Sequence, residues 1–293
     1  MVRVRAASVN FIDWVRFAAP TILVRLADGR LLNSINAILG VGLAGRVEAV
    51  GASVKQFRPG DEVFGLAAVT AGTFAEYACT AERNLALKPA SVSFEAAAAI
   101  PNAGFVALQG LRDKGSIQPG QKVLIYGASG GVGGFALQIA KAFGAEVTAV
   151  CSPRNLGLAR SMGADHFVDY TQANFTQTGE RYDLIAAANG YHSIMGYRRA
   201  LSPGGTYVML GGSLAQILQA LLCGPWLSRV GTKKLVPLGR ARSNQDDLVF
   251  LGELLQAGQV VPVIDKCYPL SAVAEAIQYL LDVHAQGKVV ITV

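Results

Sequence analysis

The sequence predicts an α/β protein in which a doubly wound parallel sheet is joined to a smaller β-rich unit. Three observations carry this. Residues 1–93 hold short alternating segments separated by glycine turns. Beyond Pro119-Gly120, apolar strands alternate with helical segments, the rhythm of a parallel sheet covered on both faces. A turn of small residues, YGASGGVGG at 126–134, then links an apolar strand to a helix.

Taken in order, Val2-Arg3-Val4-Arg5-Ala6 alternates, as do 45–51 and 74–79. Arg58-Pro59-Gly60-Asp61 is a turn, and 62–65 follows as a strand. Short strands with glycine turns suggest a compact barrel-like unit. Ser93 before an alanine-rich run marks a helix start. Strands are predicted over 123–126, 146–151, 166–168, 183–187 and 205–210, with helices over 134–143, 155–162 and 191–201 between them. The tail is read as a helix over 246–257, a strand over 260–264, a helix over 271–281 and a closing strand over 288–293.

A chain of 293 residues is comfortable for two domains. With 52% hydrophobic and 16% charged residues it can bury a large core, which excludes disorder. The net charge is +6, but the basic residues are scattered and not interleaved with aromatics, which argues against a nucleic-acid partner. Cys79, Cys151, Cys223 and Cys267 form no CxxC pair and read as reduced, mostly buried thiols of a cytoplasmic protein. His166, His192 and His284 are isolated, so no zinc spacing is visible. The opening MVRVRAASVN is not a signal peptide. The longest apolar run, 214–227, is broken by Gln216, Gln219, Gly224 and Pro225, so no integral membrane segment is expected.

The turn at 126–134 reads Ala128-x-Gly130-x-x-Gly133, the dinucleotide fingerprint with Ala in place of its first Gly. Small residues let the backbone approach a pyrophosphate, and the helix that follows points free N–H groups at it. An acidic residue about 20 residues on would select NADH. Here the second strand ends in Cys151-Ser152-Pro153-Arg154-Asn155, with no carboxylate. A guanidinium that can grip a phosphate favours NADPH. The bland alternative is that Arg154 is an ordinary solvated charge.

Together with AASVNFIDW (6–14), GLAGRVEAVG (42–51), FRPGDEVFG (57–65) and GKVVITV (287–293), these stretches carry a resemblance over nearly the whole chain. The sequence resembles the zinc-free quinone oxidoreductase, zeta-crystallin-like branch of the medium-chain dehydrogenase/reductase superfamily. The resemblance implies a Rossmann domain over 94–240 and a GroES-like, partly open barrel over 1–93 and 241–293, with the cofactor in the cleft between them. It implies hydride transfer from NADPH, without zinc, to a quinone or to the β-carbon of an α,β-unsaturated carbonyl. By match to the family, Ala128, Ser129, Gly130, Gly131, Val132 and Gly133 would hold the pyrophosphate. Ser152, Arg154 and Tyr170 would surround the 2′-phosphate. Asn189, Gly190, Gly211, Gly212 and Ser213 would face the nicotinamide, Lys288 would add a weaker contact, and Asn10 and Asp13 match the N-x-x-D element at the catalytic site. Related chains often form homodimers, though nothing in the sequence identifies an interface.

The chain departs from the family at several places. The zinc ligand motif is replaced by Gly40-Val41-Gly42-Leu43-Ala44-Gly45. Gly42 stands where zinc-free relatives keep an Asp, Val106 where a Thr is usual, and Ala186 or Ala187 where an Asp is usual. The chain begins where the family's third strand begins, so the β-rich domain is expected to be truncated at its N-terminus, with an open sheet edge. Asn10 is a candidate donor to a developing oxyanion. Asp13 reads either as an orienter or as a turn or helix cap. Tyr77 and Tyr191 read as proton donors or as core or rim aromatics. The stripe Leu214, Ile217, Leu218, Leu221 and Leu222 reads as a roof over an apolar substrate, a core-packed helix or a dimer face. The competing reading of the whole is a non-catalytic NADPH-binding protein: a sensor, crystallin-like or vestigial.

Overall fold

The computed structural model describes residues 1–18, 38–67, 72–189, 191–229, 231–239, 241–282 and 285–293. The chain divides into two compact units. One comprises Met1–Asn102, Ser243–Gln256 and Ile264–Val293, the other Ala103–Arg242 and Ala257–Val263.

The first unit opens with β1 (Val2–Val9), in which Val2 and Val4 are buried and Arg3 and Arg5 point outward. From Ala6 to Val9 every residue is buried, and the small Ala6, Ala7 and Ser8 let both faces be covered. Helix α1 (Phe11–Ala18) follows directly. Strands β2 (Gly42–Val47), β3 (Glu62–Leu66), β4 (Tyr77–Ala78) and β5 (Leu85–Leu87) come next, then helix α2 (Phe94–Gln109). Ser93 Oγ accepts the Ala96 N–H, the cap that the sequence signalled.

The second unit alternates β6 (Lys122–Tyr126), α3 (Gly131–Ala142), β7 (Glu146–Cys151), α4 (Leu156–Ser161), β8 (His166–Asp169), β9 (Tyr182–Ala187), α5 (Ile194–Ala200), β10 (Leu201–Met209), α6 (Leu214–Arg229) and β11 (Lys234–Pro237). Its six strands lie in the order β11-β10-β9-β6-β7-β8, all parallel. Counted from β6, this is the 3-2-1-4-5-6 order whose switch point falls between β6 and β9. Val123, Leu124 and Ile125 on the central strand are wholly buried, as an apolar run in a parallel sheet should be. Tyr197 of α5 stacks on Tyr207 of β10 with ring centroids 4.4 Å apart in the core.

The chain then returns to the first unit with α7 (Gln245–Gln256), β12 (Ile264–Pro269), α8 (Val273–Asp282) and β13 (Lys288–Thr292). The sheet runs β12-β13-β1-β2-β3-β5, with β4 paired to the start of β1. Thus β1 is held on both sides, by β13 and by β2, and among the described residues the sheet's edges are β12 and β5. Helix α7 packs against β5.

Three expectations are corrected. Residues 260–263 form no strand, and the strand is Ile264–Pro269. Pro262 has no N–H to give a ladder. Both backbone groups of Val261 are instead taken by Gln138, whose Oε1 accepts the N–H at 2.8 Å and whose Nε2 donates to the carbonyl at 3.1 Å. The helix predicted from 191 starts at Ile194, because Ser193 Oγ caps it by accepting the Gly196 N–H, and β10 takes over at Leu201. The thiols are not mostly buried: Cys79, Cys223 and Cys267 are exposed and only Cys151 is buried. Cys267 lies on the edge strand β12 and Cys223 on the outer side of α6.

Candidate functional site

The turn after β6 is built by its glycines. Gly127 has φ +80°, a left-handed conformation that glycine adopts without strain. Its N–H and that of Ala128 both bond Val150 O on β7, at 3.0 and 3.2 Å, which ties the turn to the neighbouring strand. Ala128 is buried. At Gly133 a Cβ would lie 2.0 Å from Gly127 O, so the first turn of α3 packs directly on the loop. Gly130 is the N-cap residue of α3 and offers no side chain to its first N–H groups. A Cβ there would meet nothing closer than Gly127 O at 3.5 Å. The result is an open cradle of backbone donors at a helix N-terminus, suited to an anion.

The neighbouring strands end beside it. Ser152 and Arg154 follow β7, and Arg154 is exposed. Tyr170 follows β8 and is also exposed. Asn155, which sequence reasoning assigned no role, is buried and donates its Nδ2 to Ser129 Oγ at 2.7 Å. Asn189 follows β9, and its backbone N–H and Cβ lie 3.1 and 3.2 Å from where a Gly127 Cβ would stand. Gly190 lies outside the described residues. After β10, a Cβ on Gly211 would sit 2.8 Å from Ala188 O, and Gly212 has φ +139°. Ser213 caps α6, its Oγ accepting the Gln216 N–H at 3.3 Å. The loops after β6, β7, β8, β9 and β10 therefore share the carboxyl end of one sheet, where ligands of doubly wound folds bind.

In the first unit, Asn10, Asp13 and Lys288 form a buried polar cluster. Lys288 is 5% exposed, and its Nζ donates to Asn10 Oδ1 at 2.6 Å and to Val9 O at 3.1 Å. Asn102 Nδ2 also donates to Asn10 Oδ1, at 3.1 Å. The Asn10 amide spends its own donor group on Ser8, with O at 3.0 Å and Oγ at 3.3 Å. Asp13 is the third residue of α1 and reaches back to accept the Asn10 backbone N–H at 2.8 Å, the acidic half of a capping box. Its other oxygen accepts the Gly40 N–H at 3.2 Å. Burial pulls the Lys288 ammonium down to about 8, against the opposing pull of the Asp13 carboxylate.

Ser8 faces Gly42 in register across β1 and β2. A Cβ on Gly42 would stand 2.4 Å from Ser8 Oγ and 3.2 Å from Ala98 O. The space for a longer side chain at this position is thus taken, and among the described residues no three His, Cys, Asp or Glu groups converge to hold a metal.

Tyr77 and Tyr191 are both exposed, and Tyr191 Oη accepts from Gln219 Nε2. On α6, the side of Gln216, Ala220 and Leu227 meets the core, with Gln216 Nε2 donating to Tyr207 Oη at 3.1 Å. Leu218, Leu221, Leu222 and Trp226 face outward, Leu222 and Trp226 at 75% and 65% exposure. Leu218, Leu221 and Leu222 of the stripe therefore do not lie on the core side of the helix, while Ile217 is half-buried against it.

Comparison with known proteins gives two family matches: Alcohol dehydrogenase GroES-like domain over residues 1–90 and Zinc-binding dehydrogenase over residues 162–291. The chain is 33% identical over 305 residues to a 2-methylene-furan-3-one reductase of Solanum lycopersicum, covering 99% of this chain and 71% of that protein. It is 33% identical over 303 residues to an NADPH-dependent alkenal/one oxidoreductase, chloroplastic, of Arabidopsis thaliana, covering 99% and 71%. Among solved structures, the quinone oxidoreductase from Coxiella burnetii superposes with a TM-score of 0.86 at 27% identity, covering 100% of this chain and 89% of that one.

Proposed function

The chain belongs to the medium-chain dehydrogenase/reductase superfamily, among its quinone oxidoreductases and enone reductases, and on that premise we propose that it is an NADPH-dependent reductase of quinones or α,β-unsaturated carbonyls. The observation that carries this reading is the glycine cradle at the N-terminus of α3, at the sheet's switch point, with Ser152 and Arg154 on the adjacent strand end.

Bound there, NADPH would supply the hydride. Ser129, Gly130, Gly131, Val132 and Gly133 would receive its pyrophosphate through backbone N–H groups, with buried Ala128 beneath them. The exposed guanidinium of Arg154, with Ser152 and Tyr170, would receive the 2′-phosphate, a charge NADH lacks. The loops at Asn189, Gly190, Gly211, Gly212 and Ser213 would border the nicotinamide. Asn10 and Asp13 act together: Asp13 caps α1 and fixes the backbone of Asn10, while Lys288 fixes the Asn10 amide. The reading is metal-free: among the described residues no three His, Cys, Asp or Glu groups converge on a metal, and Gly42, in the segment that matches the family's zinc motif, packs against Ser8 with no room for a longer side chain. Charge developing on the substrate oxygen is then met by hydrogen-bond donors and solvent. The substrate is a small apolar carbonyl or quinone. The four free thiols suit a reducing compartment such as the cytoplasm.

The test is NADPH consumption in the presence of a naphthoquinone or a 2-alkenal. Turnover with either supports the reading. Tight NADPH binding with no turnover on any acceptor would transfer the case to a non-catalytic NADPH-binding protein.

A further inference from the structure

Asn155 occupies the N-cap position of α4, where an asparagine normally accepts an N–H of its own helix. It does not do so: no side-chain cap bond forms. Its Nδ2 crosses instead to Ser129 Oγ at 2.7 Å, joining the loop after β7 to the loop after β6. Asn155 is 5% exposed, and its Oδ1 is buried with no hydrogen-bond partner. The amide is placed with its nitrogen toward Ser129, and the opposite placement would leave both N–H donors of the NH2 group unpartnered in the buried site. The 3₁₀ turn Pro153–Asn155 already leads into α4 without a side-chain cap, and the one local cost, an orphaned carbonyl, is accepted for the sake of one contact.

That contact has a direction. An oxygen that accepts from an amide keeps its own O–H to donate elsewhere. Ser129 is the middle residue of the turn that leads into the uncapped N-terminus of α3.

We propose that Asn155 is a positioning residue of the phosphate-binding loop: by donating to Ser129 Oγ it commits the serine hydroxyl to act as a donor toward a bound pyrophosphate. This rests on the reading of the loop as an NADPH site. An aspartate of nearly the same shape would keep the bridge but reverse its sense, because a carboxylate can only accept. Ser129 would then spend its proton on residue 155 and turn lone pairs toward the phosphate.

The experiment measures dissociation constants for NADPH and NADH, and KM and kcat with one acceptor, for wild type, Asn155→Asp, Asn155→Ala, Ser129→Ala and Asn155→Asp/Ser129→Ala. Asn155→Asp should weaken both nucleotides, which share the pyrophosphate, by about tenfold or more, the scale of a hydrogen bond to a charged group. Asn155→Ala should weaken them less. KM for the nucleotide should rise while kcat at saturation holds. The double variant should bind no worse than Asn155→Asp, since the reversed hydroxyl is gone. Asn155→Asp binding both nucleotides as wild type does, or losses that simply multiply in the double variant, would overturn the proposal. Should Asn155→Asp fail to fold, an unchanged nucleotide affinity in folded Asn155→Ala would overturn it, and a raised KM at constant kcat would support it. A wild-type protein that binds neither nucleotide would instead overturn the NADPH reading, and the inference with it.

Discussion

Lys288 Nζ donates to Asn10 Oδ1 at 2.6 Å, a bond between residues 278 positions apart in sequence that links the start of β13 to the end of β1. The two strands pair next to it, Val9 against Val289. The contact fixes the Asn10 amide from one side while Ser8 and Asn102 hold it from others. The orientation of the Asn10 amide is thereby fixed by four hydrogen bonds.

The buried ammonium makes stability depend on pH in a stated direction. With a folded pKa of about 8 against an ordinary 10.5, Lys288 holds fewer protons folded than unfolded between those values. Its contribution to stability therefore rises as pH climbs from about 8 to 10.5 and is lost once pH has fallen through about 8, below which both states are protonated. Urea midpoints measured across this range should climb in wild type relative to Lys288→Met. Parallel profiles for the two proteins would contradict the assignment.

Two glycines of the turn should behave differently. A methyl on Gly133 would meet backbone at 2.0 Å, so Gly133→Ala should destabilise the second unit and lose cofactor binding together. A methyl on Gly130 meets only ordinary contact at 3.5 Å. Gly130→Ala should melt close to wild type yet bind NADPH more weakly, because the methyl occupies the cradle. Thermal melts paired with nucleotide titration check both.

Arg154→Ala should weaken NADPH roughly ten- to a hundredfold, the scale of charge-assisted hydrogen bonds, and leave NADH nearly unchanged. Equal losses for the two nucleotides would remove Arg154 from the 2′-phosphate site.

Thiol labelling reports on the packing. Cys79 and Cys223 should react quickly in the folded protein, and Cys267, exposed but with its thiol pKa raised by partial burial and by Glu95, more slowly. Cys151 should react only on unfolding, since burial also raises its thiol pKa. Rapid labelling of all four would place the β7 end in solvent.

The parallel sheet was readable because apolar strands such as Val123-Leu124-Ile125 announce burial on both faces, and the turn at 126–134 announces its own geometry. Strand β11 was not, since four residues flanked by lysines and proline resemble a loop. The segment at 260–263 reads as a strand locally and is claimed by Gln138, over 120 residues away, which no local pattern reveals. The same holds at the site. Motif spacing marks Gly130 and Gly133, but the meeting of Asn155 with Ser129, or of Ser8 with Gly42, is a product of strand adjacency. The outward face of α6 was legible as a stripe, but its direction was decided by Gln216, a polar residue that turns inward to serve Tyr207.

The most direct test of the account is a titration of the protein with NADPH and with NADH, following quenching of its two tryptophans. Saturable binding that is tighter for NADPH is the predicted result, and places a phosphate reader at Ser152 and Arg154. Binding of neither nucleotide, or tighter binding of NADH, would contradict the assignment of the turn at 126–134 and its neighbouring strand end as an NADPH site.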